Sequence, residues 1–182
     1  MDDPTSLRYI SIWDTASGRL ENSVEFTNDD INTIEWNPDG TLLAHGGVDQ
    51  LVTVWDPETE TVLDTIAGHH WIIFSIAWSP DGGRIASSSS IVDNTIRVWD
   101  VRTQENLVTI PHSGGLKIVW SPDGTRIASV NTDSDVRIWD AATGVLIEKM
   151  SQEGIVNAVA WSPSGRTLAI DETLHETIGP LP

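Results

Sequence analysis

Three side chains of the types that form hydrolytic triads occur close together in the chain: His69, Ser87 and Asp93. In such a triad the imidazole takes the proton of the hydroxyl nucleophile, and the carboxylate orients the imidazole. The sequence has no Gly-x-Ser-x-Gly segment, which in one large class of hydrolases exposes the serine on a sharp turn. We therefore predict no catalytic residue.

Metal and phosphate chemistry have less support. His69 and His70 are adjacent, and in a strand neighbouring side chains point to opposite faces. The acidic segments 28–30 and 133–135 contain calcium-type ligands, but neither starts a twelve-residue loop ending in Glu. The Gly-Gly pairs lack the lysine and the following helix of a phosphate loop. We predict neither a metal site nor a cofactor.

Tryptophan marks the elements that must hold these residues in place. Eight of the nine tryptophans form two series, Trp-Asp pairs 40 to 44 residues apart and turn motifs 41 or 42 residues apart. The first series is Trp13, Trp55, Trp99 and Trp139, and the second is Trp36, Trp78, Trp120 and Trp161. Two interleaved series with a shared period indicate one repeated unit of about 42 residues. Trp71 belongs to neither series.

Each unit reads as four short antiparallel strands. The turn motif is Trp followed by Ser-Pro-Asp-Gly or a close variant, in which proline presets one corner and glycine accepts a positive φ. Short apolar segments flank it, a polar turn with Asp follows, and an alternating segment ends in Trp-Asp. In the central unit the four predicted strands are 72–78, 84–86, 96–99 and 107–110. No segment has helical periodicity, so we predict an all-β fold.

With these two motif series the sequence resembles the WD-repeat β-propeller family over residues 7–170. The resemblance implies about four blades' worth of four-stranded antiparallel sheets around a central channel. It also implies a structural tetrad of His, Ser or Thr, Asp and Trp in each blade. The central unit alone carries the full set, namely His69, Ser87, Asp93 and Trp99.

The neighbouring units depart from this tetrad. Thr27 and His45 stand at the His and Ser positions of the preceding unit, and His112 is one residue out of register in the following one. Since a hydrogen bond contributes about 1 kcal/mol net, we expect the end blades to be less stable than the central one.

We predict an N-terminal extension at 1–6, propeller blades over 7–170 and an irregular C-terminal tail at 171–182. The blades divide into a half blade at 7–27, full blades at 31–67, 71–110 and 115–150, and a half blade at 154–170. The two half blades have complementary strands, and unpaired strand edges favour aggregation. Three arrangements remain open: a four-bladed ring, an eight-bladed homodimer of two chains, or part of a longer propeller.

The resemblance also implies a partner-binding face, formed by residues near the start of each first strand and just before the turn Asp. The corresponding positions are Asp30, Asn32, Val48, Ile72, Phe74, Val92, Leu116, Thr132, Ile155 and Asn157. Trp71, Ile72 and Phe74 add large apolar groups at this face, and aromatic residues are enriched in binding hot spots. For Phe74 the alternative is packing between blades.

Charge and composition limit the class of partner and the compartment. The chain has 10 basic and 27 acidic residues, a net charge of −17, which disfavours binding to nucleic acid. It has no cysteine for a disulfide framework, no secretory signal at its start and no run of about 18 apolar residues. We predict a soluble cytoplasmic protein with no membrane contact, and interpret the acidity mainly as a source of solubility.

The resulting hypothesis is a non-enzymatic docking platform for a protein or peptide partner within a larger assembly. A propeller hydrolase of the sialidase type is one alternative. Such enzymes cluster arginines around a carboxylate, whereas Arg97 and Arg137 recur at one strand position of the repeat. The other alternative is a half-propeller whose partner is a second copy of itself.

Overall fold

The computed structural model describes residues 8–26, 31–112 and 114–173, and all sixteen regular elements of these residues are β-strands. Their bounds are β1 Arg8–Asp14, β2 Arg19–Phe26, β3 Ile31–Trp36, β4 Leu43–Gly47, β5 Val52–Asp56, β6 Thr61–Ile66, β7 Ile73–Trp78, β8 Arg84–Ser89, β9 Thr95–Asp100, β10 Asn106–Pro111, β11 Gly115–Trp120, β12 Arg126–Asn131, β13 Asp135–Asp140, β14 Leu146–Ser151, β15 Ile155–Trp161 and β16 Leu168–Thr173. Within these residues no helix has the length and apolar composition needed to cross a bilayer.

The strands form three complete sheets and two hairpins. Strands β3–β6, β7–β10 and β11–β14 each make a four-stranded antiparallel sheet in chain order, whereas β1–β2 and β15–β16 are two-stranded. This arrangement confirms the predicted all-β fold of four-stranded blades. By their position relative to the tryptophan motifs, β15 and β16 are the first and second strands of a blade, and β1 and β2 are the third and fourth.

The Pro-Asp-Gly motif forms the turn between the first and second strands. In the central sheet Gly82 has a φ of 70° and donates its N–H to the carbonyl of Ser79 at 2.9 Å. The Asp81 carboxylate accepts hydrogen bonds from the Ser79 hydroxyl and from the N–H of Gly83. Because the side chains satisfy the turn's backbone groups, the turn sets the register of the strands on both sides.

Apolar side chains are buried between sheets rather than within one sheet. One cluster joins Trp78 and Ile85 of the central sheet to Val52 and Val54 of the preceding sheet. A second cluster lies between the central sheet and β11–β14, and two smaller clusters join the hairpins to their neighbouring sheets. The sheets therefore stack side by side, each sharing an apolar interface with the next.

Two strands extend further than the sequence pattern indicates. Strand β16 continues to Thr173, although the irregular tail is predicted from residue 171, and β14 continues to Ser151. In both cases polar residues stay in the ladder: Thr173 lies opposite Ile155, and Ser151 lies opposite Asp135. Backbone hydrogen bonds hold these ends, and their polar side chains remain exposed.

Replacement of Trp99 by alanine should reduce the free energy of unfolding by about 3–5 kcal/mol, because this side chain is 2 % exposed and fills the interface with the preceding sheet. The matched control is Leu107→Ala in the same sheet. That side chain is 48 % exposed, and we expect a change within about 0.5 kcal/mol. Urea denaturation of both variants measures the difference, and equal values would contradict the assignment of Trp99 to a core.

Candidate functional site

The strand registers give every sheet two distinct ends. In the central sheet Ile73 lies opposite Ser89, Ser89 opposite Thr95, and Thr95 opposite Pro111. The start of the first strand, the turn between the second and third strands, and the end of the fourth strand therefore lie at the same end. We call this end of the sheets the upper rim, and the end with the Pro-Asp-Gly turns the lower rim.

A buried hydrogen-bonded network centred on His69 lies beneath the upper rim. His69 Nδ1 is 2.8 Å from Asp93 Oδ2, and His69 Nε2 is 2.7 Å from Ser87 Oγ. The indole N–H of Trp99 donates to the same Ser87 Oγ at 2.7 Å, and the backbone N–H of His70 donates to Asp93 Oδ2 at 2.7 Å. The network ties β8, β9 and the segment before β7 together.

The donors and acceptors assign the protons of this network. Because Trp99 can only donate, Ser87 Oγ accepts from it and gives its own proton to His69 Nε2. His69 Nδ1 then carries the ring proton and donates to Asp93. Burial lowers the pKa of His69 against the opposing effect of Asp93. Burial alone would raise the pKa of Asp93, but hydrogen bonds from Thr95, His70 and His69 lower it overall. A neutral imidazole therefore faces an ionised carboxylate.

This connectivity is that of a Ser–His–Asp triad, but the hydroxyl is inaccessible. Ser87 is 0 % exposed and His69 is 5 % exposed. A nucleophile must approach within about 3 Å of a substrate carbon, and in this conformation no solvent reaches Ser87. The arrangement braces Trp99 and the upper rim, which is a structural role.

The corresponding residues of the β11–β14 sheet form an incomplete network. Trp139 Nε1 donates to Ser129 Oγ at 2.8 Å, and the His112 ring packs edge-on against Trp139 with centroids 5.7 Å apart. Asp133 accepts from Arg137 Nη2 at 2.7 Å, so its carboxylate is directed to the guanidinium rather than to His112. The cause is local length: the step from Ser129 to Asp133 is two residues shorter than that from Ser87 to Asp93.

His112 is consequently a buried imidazole beside a positive charge. It is 2 % exposed, and its Nδ1 lies 3.5 Å from Arg137 Nη1. Burial and the charge of Arg137 lower its pKa to about 4, against smaller opposing effects of the Val130 backbone and Asp133. The ring is therefore neutral near pH 7 and resists protonation in the folded state.

In the β3–β6 sheet the tetrad positions hold different groups. His45 stands at the serine position and is 2 % exposed, and Trp55 is 1 % exposed. The Asp49 carboxylate accepts a hydrogen bond from the backbone N–H of Leu51 at 3.1 Å and so stabilises the turn in which it lies. Thr27, at the histidine position, lies outside the described residues.

The loop between β8 and β9 carries the most exposed apolar side chains of the upper rim among the described residues. Ile91 is 69 % exposed and Val92 is 60 % exposed. Asn94 fixes the loop, because its Nδ2 donates to the Ile91 carbonyl at 3.0 Å and its Oδ1 accepts from Gly114 N at 3.2 Å. The contact-face prediction includes Val92 but misses Ile91. The segment from Ser87 to the turn Asp is two residues longer than the corresponding segment of the neighbouring units, and this difference in length could have predicted the exposed loop.

Four predicted partner-binding residues share one backbone feature. Each occupies the extra position of a β-bulge in a first strand, four residues before the motif tryptophan. They are Asn32, Phe74, Leu116 and Asn157. A bulge leaves one residue without a partner across the ladder and re-aims its side chain. The Asn32 amide donates to the Ile73 carbonyl at 3.1 Å, and that of Asn157 donates to Thr173 Oγ1 at 2.9 Å.

The remaining predicted contact residues are distributed along the same rim. Val48, Thr132 and Ile155 are exposed, with 40 % for Val48 and 50 % for Ile155. Trp71, Ile72 and Phe74 are half-buried, so they offer part of their surface and use the rest for packing. Asp30 lies outside the described residues, as does the side chain of Leu116.

The acidic and histidine side chains near the upper rim are dispersed or paired with basic groups. Across residues 8–26, 31–112 and 114–173, no three His, Asp or Glu side chains are grouped as metal ligands would be. The acidic pair of the 133–135 segment is neutralised instead, because Arg137 Nη2 lies 2.7 Å from Asp133 and 2.9 Å from Asp135.

Replacing Ser87 by alanine should destabilise the fold by about 2–6 kcal/mol, since it leaves both His69 Nε2 and Trp99 Nε1 without a partner at about 1–3 kcal/mol each. The matched variant Ser129→Ala removes a partner from Trp139 alone, and we expect about half the loss. Thermal and urea unfolding compare the two. An equal loss in both variants would show that the His69 bond contributes nothing.

The buried His112 should make stability fall with acidity. Its pKa is about 4 when folded and 6.5 when unfolded, so its contribution is complete above pH 6.5 and is lost as the pH falls toward 4. Between about pH 7.5 and about pH 5 the loss should be about 2 kcal/mol. His112→Phe should remove that part of the pH dependence in urea titrations, whereas the exposed His70→Phe should retain it. An unchanged slope in His112→Phe would refute this assignment.

Comparison with known proteins agrees with this architecture. The family described as "WD domain, G-beta repeat" matches residues 19–56 and 60–100, and the family described as "Anaphase-promoting complex subunit 4 WD40 domain" matches residues 94–164. No curated protein matches the chain significantly.

A solved structure gives a similar result. A chain in "Crystal Structure of Mitotic Checkpoint Complex" is 28 % identical to this one and superposes with a TM-score of 0.81. The match covers 91 % of this chain and 52 % of that chain, so this chain spans about half the length of the matched one. The two family matches, the repeated sheets and this superposition agree with the resemblance found in the sequence, and the chain belongs to the WD-repeat family.

Proposed function

We propose that the chain is a docking scaffold that binds a protein or peptide partner at the upper rim. A scaffold role is the usual one for WD repeats, and the similar solved chain comes from a multi-protein complex. The observation that carries the proposal is the β8–β9 loop, where Ile91 and Val92 expose 69 % and 60 % of their surface on a fixed backbone.

The energetics favour binding at this loop. Full burial of an Ile or Val side chain contributes about 1.5–3 kcal/mol, and most of the surface of Ile91 and Val92 is still available. Asn94 and Asp93 already hold the loop through bonds to Ile91, Gly114 and His70. A surface that is ordered before binding loses little conformational entropy when a partner arrives.

Trp71, Ile72 and Phe74 extend the same surface. The bond from His70 N to Asp93 places the segment that leads into Trp71 beside the loop that contains Val92. The Phe74 bulge turns that side chain out of the regular alternation of β7. Trp71 adds to this surface one of the residue types that are enriched in binding hot spots.

The proposed activity is binding without catalysis. The one hydrogen-bonded Ser–His–Asp set in the described residues has its hydroxyl fully buried and engaged by Trp99. A hydrolase of the sialidase type needs several arginines converging on one anion. Arg97 instead lies 5.8 Å from the ring centre of Trp99, and Arg137 is paired with Asp133 and Asp135.

Panning a random peptide display library on the immobilised chain tests the proposal. Selected peptides should bind the Ile91→Ser/Val92→Ser variant at least about tenfold more weakly, which corresponds to about 1.4 kcal/mol. The control Val145→Ser/Ile147→Ser changes two side chains that are 61 % and 51 % exposed away from the upper rim. It should change affinity by less than about twofold, and both variants should keep the parental melting temperature.

Peptides that bind the Ile91→Ser/Val92→Ser variant as tightly as the parent would place the docking surface elsewhere. Equal weakening in the control variant would mean that the selected peptides recognise apolar surface without regard to position.

A further inference from the structure

We propose that a cavity at the lower rim binds an organic carboxylate through backbone N–H groups of β11 and β15 and through the ammonium group of Lys117. The cavity lies at the opposite end of the sheets from the β8–β9 loop, so the proposal is independent of docking at the upper rim. All of the groups that carry it lie where β3, β7, β11 and β15 pack beside one another.

The first strand of each sheet has one edge that pairs with no strand of its own sheet, and we call it the inner edge. Strands β3, β7, β11 and β15 each stand last or first in the strand order of their sheet. They are also neighbours in space, since β3 packs on β7, β7 on β11 and β11 on β15. Alternate N–H groups of such a strand point away from its ladder, so each inner edge presents donors that need acceptors.

Side chains of the preceding first strand supply acceptors to the inner edge. The N–H of Ile76 donates to Thr33 Oγ1 at 3.3 Å, and that of Ile118 donates to Ser75 Oγ at 3.3 Å. In both cases the acceptor lies one position before the counterpart of the donor in the preceding repeat. This spacing identifies the acceptor position for every inner-edge donor, and for the donors of β15 that position lies in β11.

Glu35 shows that a carboxylate fits this arrangement. Its Oε2 accepts a hydrogen bond from the N–H of Trp78 at 2.6 Å, at the same spacing. Burial raises the pKa of Glu35, and the hydrogen bond from Trp78 and the charge of Lys117 oppose that effect. A carboxylate therefore occupies the inner edge of β7, and Lys117 is close enough to act on it.

Three further inner-edge donors face positions that offer no acceptor. In β7, β11 and β15 the motif tryptophan and the residue two before it have equivalent registers, so their N–H groups point to the same edge. The three donors are the N–H groups of Trp120, Val159 and Trp161, and the positions that face them hold Ala77, Lys117 and Val119. Alanine and valine side chains have no polar atom, and a lysine ammonium only donates. The partner that completes this set must be an acceptor.

A cavity of about 310 Å³ lies against these donors, and Pro80 and Pro122 of the turn motifs place it at the lower rim. Its β11 and β15 walls are apolar and aromatic, formed by Val119, Trp120, Val159, Ala160 and Trp161. Glu35 lies on the β3 side, where its carboxylate is already engaged by Trp78. Cavities of this kind, with apolar walls and a few polar groups, are typical of small-ligand sites. The walls suit an alkyl or aryl body, and the donors suit its carboxylate.

Lys117 favours an anion over a neutral acceptor. At its position the two preceding first strands have Thr33 and Ser75, whose hydroxyl groups accept hydrogen bonds, whereas Lys117 adds a positive charge beside the free donors. Hydrogen bonds to a carboxylate are also roughly twice as strong as those between neutral groups. Since the whole chain carries a net charge of −17 and repels anions in general, binding of an anion would depend on this specific set of donors.

An NMR titration of the isotope-labelled chain with sodium hexanoate tests the proposal. The backbone amide resonances of Val159 and Trp161 should move downfield and saturate, because their N–H groups gain a charged acceptor. Hexan-1-ol has the same alkyl chain without the charge and should leave both resonances in place. An N-acetylated, C-amidated leucyl-glutamate supplies the carboxylate from a peptide. The tighter of the two acids shows whether a small molecule or an acidic side chain is the better source.

Two variants and a control test the assignment of the donors. Lys117→Met, at an exposed position, should weaken hexanoate binding at least about fivefold. Val119→Glu should weaken it at least about tenfold, because the new carboxylate would take the N–H of Trp161 as Glu35 takes that of Trp78. The control Arg102→Met removes one positive charge at an exposed turn between β9 and β10, and should change the affinity less than about twofold.

The proposal is overturned if both acids leave the resonances of Val159 and Trp161 unmoved, or if hexan-1-ol moves them equally. An affinity that is unchanged in Lys117→Met would also contradict it, since this exposed substitution leaves the fold intact. Failure of these tests would leave the upper-rim proposal untouched, because none of the substituted residues lies at the β8–β9 loop.

Discussion

The burial of large apolar side chains between consecutive sheets is the interaction on which the rest of this structure depends. No complete sheet encloses its own core; each contributes one wall of an interface whose other wall belongs to its neighbour in the chain. Stability in such an array is a sum over nearest neighbours. In the described residues the β1–β2 hairpin has a neighbouring sheet on one side only, and the nearby tryptophans Trp13 and Trp36 are 57 % and 42 % exposed, whereas Trp78 and Trp99 of the central sheet are 6 % and 2 % exposed.

The same repeat that builds the core also positions polar groups, and small differences in length decide what these groups do. Around His69 the loop is long enough for the carboxylate of Asp93 to reach the imidazole, and all partners are satisfied. Around His112 the shorter loop sends Asp133 to Arg137 instead, and the imidazole is left beside a guanidinium. One unit thereby has a fully paired network beneath its upper rim, and in the next a buried imidazole is kept neutral beside a guanidinium.

Much of this architecture is predictable from the sequence because tryptophan period and turn chemistry are local signals. They give the strand order and the class of fold, and the family resemblance that they carry implies a shared network of His69, Ser87, Asp93 and Trp99. The bulges at Asn32, Phe74 and Asn157 are not predictable in this way, since they arise from pairing between strands. The sequence pattern also fails to predict the end of β16. Its last residues are polar and are held by backbone hydrogen bonds, which do not produce an alternating hydropathy pattern.

Ile91 has a φ of 67°, a left-handed conformation that a β-branched residue adopts only under constraint. Such a residue stores about 1–3 kcal/mol of strain, which the surrounding ladder of β8 and β9 must offset. A glycine at position 91 would relieve this backbone strain, but it would also remove the apolar side chain. The protruding side chain and the stability of the fold therefore favour different residues at position 91. Selection of variants for thermal stability alone would favour glycine and remove this apolar protrusion from the surface.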